Sequence, residues 1–524
     1  MKSTIGERVQ KVFQTISSGG KQTLRDIAQR IGYSKSSVHR HQQTLARRNQ
    51  HSESEFWESE AGTKWLHRLV IASIFVFCFQ RGVGCESLSR FFQLLHLDKH
   101  VGVSVASLRK IRSQMETQVL QYQQTQQSKL ADSTVPIEVC ASVDETFFDQ
   151  VILVMLDLPS GFIFVEELAE NYRYSTWQQQ TQRVLKQFGF TVRYCVSDRA
   201  KGLIKLALQD LHCPSVADLF HALYDLSKGL GREIAQRLGR VNRRLNKLND
   251  SPETEPLKQQ LQAESLSLQT AQVQYQDSVH QLTLAVHPFH LIQNTKQTSA
   301  QVAVQLSHQL TLLNTLKITH QFPDKQGCLT KVDGQIPDLS ASIDLWWDWV
   351  QHHLKDPLDL STQTWVQTTL LPTMYWEQQT RRTKNPTLKA RYQQAFQQAQ
   401  TTWNDHPLTR SQSPEQLEKW TAWAAWMVTK FQRASSAVEG RNGYLSQLHH
   451  NRRGLSSRRL SVMTTLHNFY LKRPDGSTAA ERLFGQSSPN LFESILKQMP
   501  PLPQARRRKV SFKSKTLPLP AVPA

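Results

Sequence analysis

Two kinds of apolar pattern alternate along the chain. Between Ile137 and Asp198 the apolar residues fall in short runs, Ile137–Val143, Val151–Leu156, Gly161–Val165 and Phe190–Val196. Runs of this length, bounded by polar or turn residues, predict strands. The segment between the third and fourth runs predicts a helix, as does Ala200–Gln209. Ser215–Leu219 predicts a short fifth strand and Phe220–Ala235 a helix. From about 232 to 430 the spacing becomes that of long helices. Leu257–Val286 is amphipathic and Gln-rich, among punctuating prolines at 252, 256 and 288. It fits either a coiled-coil seam between two copies or an internal hairpin.

Upstream, Thr23–Arg48 predicts a short helix, a tight turn at Gly32 and a second helix capped by Ser34. Ala28 is small, as a close helix crossing requires, and Val38 and Leu45 point inward. This pattern resembles a helix-turn-helix DNA-binding unit. Its second helix would present Lys35, Ser36, Ser37, His39 and Arg40 to DNA; the plain alternative is a helical hairpin. The window holds five Arg and one Lys against one Asp. His51–Gly62 is polar and predicts a linker. Trp65–Phe79 is apolar all round and predicts a buried helix. Cys85–Gln127 predicts two more helices, and Pro136 opens the strand block.

Charge narrows the partner. Lys and Arg number 63 against 43 Asp and Glu, a formal net charge of +20, which points to a polyanion. The six cysteines, at 78, 85, 140, 195, 213 and 328, form no CxxC pair, and two fall inside predicted strands. They read as reduced and buried, with no zinc site and no disulfide framework. The N-terminus lacks a signal-peptide apolar core. The longest apolar run, Leu69–Phe79, is shorter than the roughly 20 residues a membrane span needs. A cytoplasmic, nucleic-acid-handling protein with no membrane partner is the expectation.

Two of the predicted strands finish on acids, the first on Asp144 and the fourth on Asp198. If those strands are parallel neighbours, both acids sit at their carboxyl ends, where α/β sheets collect chemistry. Close carboxylates repel unless a cation separates them, and a hard divalent ion such as Mg²⁺ prefers oxygen ligands. Asp144 is followed by Glu145, and a strand turns the two to opposite faces, so only one can easily join Asp198; Asp144 is the choice, because Glu145 begins the turn. Asp218-Leu-Phe-His221 brings a histidine near the fifth strand, either toward the acids or simply onto backbone at a helix start.

A third segment, Ala434–Leu455, holds Glu439 as the one acid of Val438–Asn451. Seven Arg or Lys and no acid lie between 441 and 473. Glu439 fits a metal ligand or a surface ion pair. Nine of twelve tryptophans lie between 343 and 430, fitting a helical core or, for one of them, stacking on an unpaired base. The tail, Arg506-Arg-Arg-Lys509 with Lys513 and Lys515, fits a phosphate-binding arm or a solvated end.

Ser142-Val-Asp-Glu-Thr146, Val196-Ser-Asp-Arg-Ala200 and Ser436-Ala-Val-Glu-Gly-Arg-Asn442 resemble the motifs of DDE transposases of bacterial insertion sequences. The resemblance covers about 135–235 and 431–473 closely and 1–60 more loosely; the Tyr-Arg-Glu-Lys signature of one DDE branch is not found around Glu439. It implies an α/β ribonuclease-H-like core, a mixed five-stranded sheet interrupted by a large helical insertion, plus the N-terminal helix-turn-helix. The expected boundaries are 1–60 for the helix-turn-helix and 61–134 for a helical linker. The core would span 135–231 and 431–475, the insertion 232–430, and the basic tail 476–524. The resemblance also implies a catalytic and metal-binding triad of Asp144, Asp198 and Glu439 holding two Mg²⁺ ions, with Mn²⁺ able to substitute. Arg199, Lys201, Arg441, Arg452 and Arg453 would contact phosphates. The partners would be double-stranded DNA, as transposon ends and target, and a second copy of the chain. Two other readings share the features: a DNA-binding regulator or domesticated transposase without cleavage, and a nuclease of the same fold without strand transfer.

Overall fold

The computed structural model describes residues 5–18, 20, 22–48, 56–57, 59–131, 137–249, 251–324, 327–355, 359–450 and 454–505. Arg452, Arg453 and the basic tail from Arg506 lie outside the described residues. The chain divides into two compact units. One comprises Met1–Ser128, Leu448–Leu471 and Ser487–Ala524; the other comprises Lys129–Gln447 and Lys472–Gln486.

The first unit begins with three helices, α1 (Ile5–Ser17), α2 (Leu24–Ile31) and α3 (Lys35–Arg48). Thr23 and Asp26 form a reciprocal cap at the start of α2, satisfying two backbone N–H groups that a helix start leaves open. Gly32 ends α2 at φ 73°, a left-handed conformation that a Cβ disfavours. The Ser34 hydroxyl then accepts from the Ser37 N–H at 3.2 Å and starts α3. Val9, Val12, Ile27, Ala28, Ile31, Val38 and Leu45 make the shared core. The sequence reading placed the second and third of these helices and not α1.

Helix α4 (Glu60–Ser73) runs on through a π-helical turn, Ile74–Gln80, to 21 residues. By length and composition alone it could cross a membrane, whereas the apolar run read from the sequence was shorter. Half of its apolar window is buried within the unit, and the Phe75 ring meets Tyr470 and Phe492 edge-on. Burial is one-sided rather than all round: Trp65, Val76 and Phe77 are exposed. Two further helices, α5 (Cys85–Leu94) and α6 (Val105–Ala131), follow as the spacing predicted.

The second unit is built on one mixed sheet of β1 (Glu138–Phe147), β2 (Val151–Asp157), β3 (Ile163–Ala169), β4 (Thr191–Ser197) and β5 (Ser215–Ala217). Its order is β3-β2-β1-β4-β5. β1, β2 and β3 are antiparallel neighbours; β4 pairs parallel with β1 and β5 parallel with β4. The central strands are buried, which is why they read as nearly continuous apolar runs. Between strands lie α7 (Tyr174–Phe188) and α8 (Lys201–Gln209). After β5 come α9 (Leu219–Leu226), a π-turn at Ser227–Gly231, and α10 (Arg232–Leu245).

The long insertion is helical. In α11 (Glu255–Ala285), Leu261, Ser265, Leu268, Ala271, Tyr275, Ser278, Leu282 and Ala285 are buried at steps of three or four. This seam packs on α10 and on α12 (Ser299–Thr319), so it is filled within the unit. In α13 (Ile336–Leu354), Trp346, Trp347 and Trp349 are buried, as are Trp365 and Trp376; these five tryptophans are core. Just after α11, His287 is wholly buried between the hydroxyls of Tyr375, on α14 (Leu371–Arg382), and Tyr392, on α15 (Pro386–Asp405). After α16 (Pro414–Thr429), α17 (Ser436–His450) carries the chain back to the sheet, and α18 (Ser457–Phe469) belongs to the first unit.

Candidate functional site

The register of β1 and β4 brings the acids to one end of the sheet. Ser142 lies beside Val196, and its hydroxyl donates to the Val196 carbonyl at 3.0 Å. Two residues on, the chain reaches Asp144 on β1 and Asp198 just past the end of β4. β1 does not stop at Asp144: it continues to Phe147 because β2 pairs with it there, Asp144 opposite Val154. β4 stops at Ser197.

Strand alternation separates Asp144 from Glu145. Asp144 faces Glu439, whose negative charge, after burial itself, lifts the Asp144 carboxyl to about 7. The Asn442 amide donates to Asp144 Oδ2 at 2.9 Å. Glu145 faces the other way, onto the Trp177 indole N–H at 2.8 Å. Burial raises the Glu145 carboxyl, and the charge of Asp198 raises it further. The Asp198 carboxylate itself accepts from the Ala200 N–H at 2.9 Å, capping the turn into α8. Asp198 thus bears on Glu145, while Glu439 and His221 bear on Asp144.

A histidine completes the Asp144 side. Asp218 caps α9 through the Phe220 N–H at 2.8 Å, is fully buried as a side chain, and accepts from the Ser435 hydroxyl. It also holds His221 Nδ1 at 2.7 Å. The other ring nitrogen lies 3.6 Å from Glu439 Oε1. The bond to Asp218, against burial, raises the imidazole to about 9, with Asp144 and Glu439 adding to the rise. His221 is therefore an imidazolium at neutral pH, set among three carboxylates. The backbone clamps this corner: the Asp218 N–H donates to the Ser197 carbonyl and the Leu219 N–H to the Arg433 carbonyl, both at 3.0 Å.

Glu439 stands in the first turn of α17, where the helix dipole favours a carboxylate. Two residues on, Arg441 is 4% exposed and grips Glu166 of β3 through two bonds of 2.6 Å. Its guanidinium is spent on that pair and is not presented to a phosphate, contrary to the expectation from the basic run. Arg199 is likewise engaged, with the Ser215 carbonyl at 2.9 Å and Asp338 at 2.6 Å, on a backbone at φ 69°. Lys201 is exposed at the start of α8.

Asp144 and Glu439 fit a divalent cation as two of its oxygen ligands, since their mutual repulsion is what such an ion relieves. Among the described residues, no group of three or more His, Cys, Asp or Glu side chains is arranged to hold a metal. The third expected carboxylate, Asp198, is engaged by the Ala200 N–H.

Sequence reasoning had not assigned Ser435, Asn442, Glu166 or Trp177 to this centre. Asn442 carried a signal, lying three residues after Glu439 and hence one helical turn along the same face. Glu166 carried none, because a buried partner for Arg441 depends on tertiary packing.

In α3, Lys35, Ser36, His39 and Arg40 are exposed and Ser37 half-buried, with Val38 and Leu45 underneath. Arg40 folds back to the Ser36 carbonyl at 3.3 Å and to the Ser37 hydroxyl at 3.4 Å. Residues 7–49 match the IclR helix-turn-helix domain, which suggests a DNA-binding protein. Residues 366–511, which include Glu439 and Asn442, match a family of unknown function (DUF6399). No curated protein matches the chain.

Proposed function

We propose that the chain is a DNA-processing enzyme of the DDE transposase class, binding double-stranded DNA through α1–α3 and acting on a strand at the Asp144–Glu439 centre. The observation that carries this reading is topological. A sheet ordered β3-β2-β1-β4-β5 puts one acid on its central strand, a second directly after the neighbouring parallel strand, and a third on a helix that returns after a long insertion. That placement of three acids supports the ribonuclease-H-like reading. A bound Mg²⁺ or Mn²⁺ ion would supply charge neutralisation at the scissile phosphate. Asp144 and Glu439 are the residues to hold it. Asn442 orients the Asp144 carboxylate, and Asp218 with Ser435 fixes the His221 ring beside Glu439. A regulator that binds DNA without cutting is the second reading, favoured by the Asp198 carboxylate being turned to Ala200.

The test is cleavage of DNA carrying the sequence that flanks the gene, by full-length protein with Mg²⁺ or Mn²⁺, wild type beside Glu439→Gln. Ion-dependent nicking that the variant loses supports the enzyme. DNA binding by both without nicking by either supports the regulator.

A further inference from the structure

We infer that α9, the π-turn and α10 form a second DNA-binding surface, a track for a single strand that starts beside the acidic centre. Phe220, Tyr224, Lys228, Arg232, Gln236, Arg240, Arg243 and Lys247 recur at steps of four or three, and every one is exposed. The opposite face is core, with Leu226, Leu230, Ile234 and Val241 buried. The track begins next to His221, the residue 3.6 Å from Glu439.

The π-turn makes the stripe straight. An α-helix turns ~100° per residue, so a four-residue stripe drifts ~40° at each step and Arg240 would end ~200° from Phe220. The wider turn at Ser227–Gly231 takes up one extra residue, which returns about 100° and keeps the seven side chains from Phe220 to Arg243 within an arc of about 100°, with Lys247 just past the helix end. Gly231 lets the turn lie close to α11: a Cβ there would stand 2.7 Å from the Tyr275 hydroxyl.

The chemistry of the stripe specifies the partner. Phe220 and Tyr224 are 44% and 52% exposed, one turn apart, with rings inclined by only 13°. Exposed parallel rings offer faces on which unpaired bases stack, and the cations beyond them follow a phosphate backbone. The two acids of this stretch do not open onto the stripe: Asp225 pairs with Lys331, and Glu233 is buried beneath it, where its carboxylate accepts from Arg240 at 3.4 Å while the Arg240 side chain stays 61% exposed. A buried seam would place apolar residues, not arginines, at these positions, so a helical partner fits less well. That the strand is the one acted on at Asp144 and Glu439 rests on the proposed function; the binding itself does not.

The experiment uses full-length protein without divalent ions. It compares a blunt duplex with the same duplex carrying a 3′ overhang of about 10 nucleotides, a length within the usual single-strand site sizes. Fluorescence anisotropy across a salt series gives affinity and slope. Replacing Arg232, Arg240 and Arg243 together by Gln should lower the log–log salt slope for the overhang probe by about 2, at ~0.7 per lost phosphate contact. Blunt-duplex binding should remain. Phe220→Ala with Tyr224→Ala should weaken overhang binding and leave the slope unchanged. An unaltered slope and affinity in the triple variant would overturn the track. So would displacement of the overhang probe by a polyglutamate peptide more readily than by free single strand, which would assign the surface to an acidic protein. Because no cleavage is read, failure of the enzyme reading leaves these outcomes distinct.

Discussion

Arg441 and Glu166 tie α17 to the edge strand β3 through a bidentate pair buried on both sides, with side chains 3% and 0% exposed. The pair sits two residues from Glu439 and one from Asn442, so it fixes the angle at which both reach Asp144. Removing one partner strands the other charge in the interior. Arg441→Met is expected to cost about 3–5 kcal/mol in urea unfolding, and Glu166→Gln a similar amount. The double variant should recover a large part of the loss, because neither charge is then left alone.

Asp144 gives the fold a pH dependence of known sign. Its folded value, about 7, lies above the ordinary aspartate value of about 3.9. The folded state therefore holds this proton more tightly, and stability falls as pH rises from about 4 to about 7 and stays low above. Asp144→Asn removes that slope. Unfolding measured at pH 5 and pH 8 should show the variant gaining about 2–4 kcal/mol on wild type across the interval. His221, held up to about 9, retains its proton through most of that window.

The same repulsion predicts a response to ions. Mg²⁺ or Mn²⁺ should raise the melting temperature of wild type at pH 8, above the Asp144 value of about 7, by mass action on the folded state. Glu439→Gln should abolish most of the rise. A rise of equal size in the variant would place the ion elsewhere. Asp198→Ala separates one site from two, since loss of the response there would mean that the ion draws Asp198 off its cap.

For the helix-turn-helix, Arg40→Ala should weaken binding to duplex DNA and reduce the salt slope by about 1, with no change in unfolding. Gly32→Ala should act in the opposite manner. It should cost roughly 1 kcal/mol of stability through the left-handed turn, and affect DNA only through the folded fraction.

The sheet was legible because buried strands leave near-continuous apolar runs, and Val192–Val196 and Val151–Leu156 leave no other choice. The acids were legible as positions. Their facing was not: whether Asp198 meets Asp144 or Glu145 depends on the turn at Asp198–Ala200, where a local backbone bond takes the carboxylate. Arg441 illustrates the same limit from the other side. In sequence it belongs to a basic run; in space it meets Glu166, 275 positions earlier, and no local pattern announces the partner. Trp65 marks the converse error, since an all-round apolar helix was expected to be buried and it is 56% exposed.

The acidic centre also has a schedule. Asp198 and Glu439 are separated by 439 − 198 = 241 positions, and at ~5–20 residues per second the ribosome needs roughly 10–50 s to cross that interval. During it, the five-stranded sheet is already synthesised, while the carboxylate that faces Asp144 and the arginine that claims Glu166 do not yet exist. A nascent chain is thus unarmed until the whole insertion has emerged and folded, and any product truncated before α17 would retain the helix-turn-helix and the sheet but not the paired acids. The order of segments along the gene therefore completes the acidic centre last.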